Sequence, residues 1–268
     1  MPALTLLAAV PELGALLILA LIQGISEFLP ISSDGHLVLA QHFLRLEGPR
    51  LAVDVALHMG TLGAVVVVFW RELEGLARRI LTRDLRELGL LFLGSLPAAV
   101  VGIGFRSEFE ALFDSGRAAA SGLLVTAAVL WVGERARVRQ AAAGTPAKPL
   151  GVVQALLIGG AHAAAILPGV SRSGSTIATA LLCGVETQAA ARFSFLLSVP
   201  AVSGAVLLEV PGLVQSGGFS ADLALAVGAS FLVGIFALRF LLAFLGKGAF
   251  RWCAFYCTAV GTLALFWV

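Results

Sequence analysis

The stretch that decides the fold is Leu29-Pro30-Ile31-Ser32-Ser33-Asp34-Gly35-His36. It has a counterpart in Leu167-Pro168-Gly169-Val170-Ser171-Arg172-Ser173-Gly174-Ser175-Thr176. Both are proline-broken, hydroxyl-rich, glycine-containing loops set between apolar segments. On a soluble surface such loops are ordinary. Within hydrocarbon-length segments they are costly, because unpaired backbone at membrane depth has no water to solvate it. A charge such as Glu27, Asp34 or Arg172 costs about 2.5–3.5 kcal/mol at a bilayer centre on insertion scales. Two such loops in one chain need a reason, and anion chemistry is the candidate.

Composition sets the surroundings of those loops. Apolar residues make up 59% of the 268 and charged residues 13%, with a mean hydropathy of +0.98. Ordinary soluble domains carry about 25% charged residues. Apolar segments fall near 3–22, 51–70, 88–105, 118–133, 150–167, 193–210, 221–245 and 252–268. Each approaches the ~20 residues of a transmembrane helix, and none shows the ~10-residue alternation of a barrel strand. The fold class is therefore all-α, a polytopic helical membrane protein built as one integral membrane domain over 1–268.

The formal net charge of +2 says little, because the charges sit in the loops, and no basic patch suited to nucleic acid is visible. Cys183, Cys253 and Cys257 form no CxxC, and the latter two lie one helical turn apart in an apolar segment, which reads as packing. The N-terminus lacks a basic region and carries Pro11-Glu12 inside its apolar run, unlike a secretory signal.

Arginine-rich stretches 71–87 and 134–149 belong in the cytoplasm by the positive-inside rule, and two spans lie between them, so parity agrees. Stretch 211–220 has no basic residue and belongs outside, whereas Lys247 and Arg251 place 246–251 inside. On that count the pieces 1–50 and 150–192 each leave and re-enter one face. The expectation is two inverted-topology repeats, 1–140 and 150–268, each a re-entrant broken helix pair plus three transmembrane helices. Full-spanning hairpins with surface loops are the alternative. The two loops align with one residue inserted in the second. Inverted repeats with broken helices place their site near the midplane, where the repeats meet.

Each loop precedes a helix-competent run, so Ser33 or Asp34, and Ser173 or Ser175, stand where N-caps belong. A helix N-terminus is an anion site through its free N–H groups and dipole. Two of them with Arg172 between serines describe a phosphate or diphosphate cradle, since the guanidinium fork bonds two phosphate oxygens at once. The plainer reading of Arg172 is a salt bridge to Glu27 or Asp34. For Ser171, Ser173, Ser175 and Thr176 it is capping and packing. Gln23 and Glu27 share a helix face at i, i+4, and a carboxylate beside diphosphate can hold a divalent cation, position water or act as base. Ser33 is a candidate nucleophile and His36 a candidate activator or proton donor. Asp54 with His58, and His162, lean towards structural roles, and Pro97 and Pro200 mark kinks.

The run Gln23–His36, Gln-Gly-Ile-Ser-Glu-Phe-Leu-Pro-Ile-Ser-Ser-Asp-Gly-His, paired with Pro168–Thr176, resembles the undecaprenyl-diphosphatase family, the BacA-type enzymes. The likeness extends over essentially the whole chain, including 54–64 and 191–200. The resemblance implies a bacterial inner-membrane phosphatase that converts undecaprenyl diphosphate to undecaprenyl phosphate. It would thereby recycle the wall-polymer carrier and confer bacitracin resistance. It also implies a site open to the periplasm, an Mg2+ or Ca2+ ion, a lipid substrate among membrane lipids, and a homodimer.

By position, Glu27 becomes the essential acid and the metal residue, with Gln23 or Asp34 nearby. Ser33 becomes the hydroxyl, His36 the histidine and Arg172 the phosphate-binding arginine. Ser32, Gly169, Ser171, Ser173, Gly174 and Thr176 complete the phosphate-binding set. The attacking group stays open between Ser33, His36 and a water held on the cation. Two positions depart from the family: Asp34 stands where it usually has Thr, and His162 where it usually has Gln. An extra carboxylate repels diphosphate unless a cation or Arg172 offsets it, which predicts stronger metal dependence or a shifted pH optimum. Rival readings are a transporter or lipid flippase, which shares the broken-helix architecture, and an intramembrane serine protease, which has no use for Arg172 amid serines.

Overall fold

The computed structural model describes residues 13–44, 50–144, 146–215 and 220–268. The start of segment 3–22, the connection 45–49 and residues 216–219 of the 211–220 stretch lie outside the described residues. Among those described there is no strand.

The first loop sits between two short helices, α1 (Leu13–Ser26) and α2 (Ser33–Phe43), and the second between α8 (Val152–Ala164) and α9 (Arg172–Leu182). At 1.5 Å per residue α2, α8 and α9 are each too short to cross ~30 Å of hydrocarbon. The reason is local: Pro30 and Pro168 cannot donate to a helix ladder, and a serine then starts the next helix. Ser32 caps α2 and Ser171 caps α9, each side-chain oxygen accepting the N–H of the glycine three residues on, Gly35 at 3.3 Å and Gly174 at 3.1 Å. The caps therefore fall one or two residues earlier in α2, and two or four earlier in α9, than the sequence suggested, because those glycine N–H groups are the donors within reach.

The long helices enclose these pairs. They are α3 (Arg50–Val68), α5 (Arg86–Gly104), α7 (Gly116–Ala143), α10 (Thr187–Gln215), α11 (Ala221–Phe244) and α12 (Ala249–Leu265). Four carry windows long and apolar enough to cross a membrane: α5, α7, α11 and the Thr187–Leu208 part of α10. A fifth is counted if α3 is joined to α4 (Trp70–Leu81), which bends from it by 75°. That bend lays the arginine-rich stretch beside the bundle as an amphipathic helix, with Arg78 on Glu74 at 2.6 Å and Arg79 on Glu87 at 2.7 Å. The eight apolar segments all appear as helices where described. α7 runs on to Ala143, so the cationic stretch 134–139 is helical. Pro97 and Pro200 lie inside uninterrupted helices. A short helix α6 (Arg106–Phe113) joins α5 to α7.

Packing explains the glycines. α1 leans on α11 and α8 on α5, each a short helix of one half against a long helix of the other. An added Cβ on Gly159 would meet the Gly94 carbonyl oxygen at 2.6 Å, and one on Gly24 would meet Val233 Cβ at 2.8 Å. Such small-residue contacts let membrane helices approach closely, where no water-driven force pushes them together. Phe28, wholly buried, packs edge-on against Phe195 with centroids 5.9 Å apart, tying the first loop to α10. Along α5, Phe92, Leu96, Val100 and Ile103 form an exposed apolar row, as a lipid-facing surface requires.

Candidate active site

The two loops touch. A Cβ on Gly35 would lie 2.7 Å from Gly169 Cα, so the starts of α2 and α9 meet at one place in the bundle. Beside that contact lies a cavity of about 240 Å³. Its polar side is formed by Glu27, Ser32, Ser33, Asp34, Ser171 and Arg172. Its apolar side comes from Val55, Phe113, Ile166, Val170 and the α10 residues Val202 and Val206.

Glu27 is the hub. Its Oε1 pairs with Arg172 Nη2 at 2.5 Å, and its Oε2 accepts from Ser33 Oγ at 2.6 Å and from Gln23 Nε2 at 3.2 Å. His58 Nε2 approaches Oε2 to 3.3 Å. A carboxylate this buried needs such company, because an unpaired charge in a dry interior is strongly disfavoured. The second arm of Arg172 donates to the Ser194 carbonyl at 3.4 Å, which aims the guanidinium at the cavity. Gln23 sits behind Glu27, with its amide also reaching Thr61 at 3.3 Å. Its Oε1 is buried without a hydrogen-bond partner among the described residues.

Not every residue singled out from the sequence faces the cavity. His36 does not line it: Nδ1 donates to the Ser32 carbonyl at 2.7 Å, and Nε2 accepts from the Tyr256 hydroxyl at 2.9 Å, with the two rings stacked. Both imidazole nitrogens are thus occupied by the frame of the loop. Thr176 bonds the Arg172 carbonyl and Ser194 Oγ, at 2.7 and 2.6 Å, and Ser173 pairs with Ser171 Oγ at 3.3 Å. Gly169 offers its carbonyl to Thr126 Oγ1 at 2.7 Å, and that hydroxyl accepts the Ser171 N–H at 2.8 Å. Gly174 and Ser175 are buried in the first turn of α9, where their N–H groups meet Ser171.

His58 moves the other way. It leaned towards a structural place in the sequence, yet its Nε2 lies between Glu27 and Asp34, 3.5 Å from the Asp34 carboxylate. Its Nδ1 donates to the Asp54 carbonyl at 2.7 Å, a bond that fixes the ring's orientation. Among the described residues, this imidazole is the group that pairs with the Asp34 carboxylate, a place the sequence did not suggest for it. Asp54 and His162 also line the cavity, and His162 Nδ1 is buried without a hydrogen-bond partner among the described residues. The helical spacing of Asp54 and His58 was the available signal. Thr126, Ser194 and Tyr256 had none, since each acts across a helix contact far off in the chain.

The model of the family described as bacitracin resistance protein BacA matches residues 16–263. This chain belongs to the BacA family. Among its relatives, an undecaprenyl-diphosphatase from Rhodopirellula baltica is 40% identical over 258 residues, covering 95% of this chain and 97% of that protein. An undecaprenyl-diphosphatase from Desulforapulum autotrophicum is 37% identical over 273 residues, covering 95% and 98%. One from Carboxydothermus hydrogenoformans is 38% identical over 255 residues, covering 93% and 95%. In this BacA-family chain the matched span includes both loops and every residue lining the cavity.

Proposed function

We propose that this chain hydrolyses undecaprenyl diphosphate to undecaprenyl phosphate and inorganic phosphate, recycling the lipid carrier of wall synthesis and, when abundant, conferring bacitracin resistance. The observation that carries this reading is one cavity in which Glu27, Ser33 and Arg172 meet at two helix starts, backed by an apolar wall. A diphosphate on a prenyl chain needs both halves of that lining. Arg172 and the first N–H groups of α2 and α9 suit the phosphates, and the valines of α10 suit the chain.

Ser33 is the hydroxyl best placed to attack, because its Oγ already donates to a carboxylate at 2.6 Å, whereas both His36 nitrogens are engaged. In this reading Glu27 takes the Ser33 proton as Oγ bonds to the terminal phosphorus. The bond from phosphorus to the bridging oxygen breaks and undecaprenyl phosphate leaves. Water then cleaves the phosphoserine, releasing phosphate. Arg172 must exchange Glu27 for phosphate oxygens on the way, which frees Glu27 Oε1.

A divalent cation, Mg2+ or Ca2+, fits as an assistant. Gln23 Oε1 is a buried oxygen beside Glu27 that lacks a partner among the described residues, and hard cations take oxygen ligands. Among the described residues no three His, Cys, Asp or Glu are grouped as a metal site, so phosphate oxygens and water would complete the shell. The ion would neutralise phosphate charge there.

Residues 1–140 and 150–268 are read here as inverted repeats, supported by the matched caps of α2 and α9 and the crossed pairings of α1 with α11 and α8 with α5. The cationic stretches 71–87 and 134–149 support a plasma-membrane orientation with those segments in the cytoplasm and the cavity open to the outside. A homodimer follows from the family resemblance and is checked by the mass of the detergent-solubilised particle. The deciding experiment gives purified protein a polyprenyl diphosphate and measures phosphate release with and without chelator. Transfer of labelled lipid across vesicles with no phosphate released would favour a transporter instead.

A further inference from the structure

At the other end of α9 from Arg172, the bundle holds a second cavity, of about 440 Å³. Arg135 and Arg139 of α7 line one side, one helical turn apart, and Lys148 lines the other beside Cys183 and Gly184. Lys148 is seated by its backbone: its N–H donates to the Gly184 carbonyl at 2.9 Å, and its stem lies over Gly184, where an added Cβ would meet Cδ at 3.2 Å.

Among the described residues no carboxylate lines this cavity. The nearest acids in sequence are committed elsewhere, Glu134 to Arg137 at 2.8 and 2.9 Å and Glu186 to the Ala189 N–H at 2.9 Å. At the end of α9 the Leu181 carbonyl accepts from the Gln140 amide. Three like charges gathered around one concavity repel each other unless an anion sits among them. The rim is apolar: Val132 and Leu182 line the same cavity and are 45% and 58% exposed, as they would be against acyl chains.

We propose that this cavity is a second, cytoplasmic-side site that binds a phosphate group, presented by an anionic membrane lipid whose chains lie along Val132 and Leu182. The cations supply charge and the rim supplies the amphiphile's other half, the combination expected of a lipid headgroup pocket between membrane helices. Nothing in the proposal depends on the reaction at Glu27.

The test uses the full chain in mixed micelles, counting retained phosphatidylglycerol by native mass spectrometry, with phosphatidylcholine as the neutral control. Arg135→Gln, Arg139→Gln or Lys148→Gln should each weaken phosphatidylglycerol retention about fivefold, and the triple variant about a hundredfold. A second triple variant, Arg71→Gln, Arg83→Gln and Arg86→Gln, removes the same charge from the other basic stretch and should leave retention unchanged. Elution as a single gel-filtration peak checks folding in each case. A parallel titration with inorganic phosphate, read by thermal shift, separates the sources. A phosphate response that needs the three cations, with no lipid retained, overturns the lipid as source. Equal loss in the two triple variants, or none in either, overturns the site.

Discussion

The two loops solve one problem, starting a helix inside a membrane bundle, by different means. In the first, Ser32 takes the left-handed backbone region with φ 69°, at a cost of about 1–3 kcal/mol for a residue with a Cβ. Side chains hold it there: its Oγ accepts from Gly35, and its carbonyl accepts from the His36 ring, which Tyr256 secures in turn. In the second, Gly169 takes φ 86° without that cost, and main-chain packing holds it, with the Ala119 carbonyl 2.1 Å from where a Cβ would stand. The first loop is therefore gripped by adjustable polar contacts and carries the acid and hydroxyl. The second is gripped by backbone against α7 and carries the arginine. A cation that must meet the substrate's phosphate gains from a fixed base, whereas groups that exchange protons tolerate a looser one.

The sharpest way to break the comparison is at the charges each loop supplies. Arg172→Ala should lower phosphate release about a thousandfold, since it removes charge stabilisation and leaves Glu27 buried without its ion pair. Arg172→Lys restores the charge without the fork and should recover only part of the rate. Release at near wild-type rate in Arg172→Ala would sink the cradle.

Next in size is the glycine contrast. Gly169→Ala should cost about 3 kcal/mol or more, because a Cβ enters the α7 backbone at a φ that alanine resists. Ser32→Gly should leave stability nearly unchanged: relief of the strained φ offsets the loss of a cap oxygen, which glycine replaces at a cost of about a few tenths of a kcal/mol. Melting temperatures in one detergent compare the two, and equal losses would show that the loops are held alike.

Much of this was legible in the chain. Apolar length located the helices, and the paired proline–serine–glycine pattern located both loops and the meeting of Glu27, Ser33 and Arg172. What escaped notice depends on distances that no local pattern encodes. His36 stood three residues from Ser33, close enough to seem a partner, but a helix start turns successive side chains to different sides and sends the ring to Tyr256. His58 reached Glu27 and Asp34 because α3 runs alongside the first loop, a fact of packing. The bend at Val68–Trp70 was hidden because charge and apolar residues there change together.

Smaller effects separate the two grips. Thr126→Val keeps shape but strands the Gly169 carbonyl and the Ser171 N–H, both buried, so about 2 kcal/mol of stability should go, with a matching fall in activity as Arg172 loses its base. Tyr256→Phe removes a hydroxyl from a partly exposed ring pair and keeps the stacking, so its cost should be only about 0.5–1 kcal/mol. If His36 serves to hold Ser32, freeing its Nε2 loosens the first loop. The rate should then drop about two- to fivefold with its pH profile unshifted. If His36 instead takes part in chemistry through Nε2, releasing that nitrogen from Tyr256 should raise the rate or move the profile. A single hydroxyl therefore distinguishes a histidine that frames the loop from one that reacts.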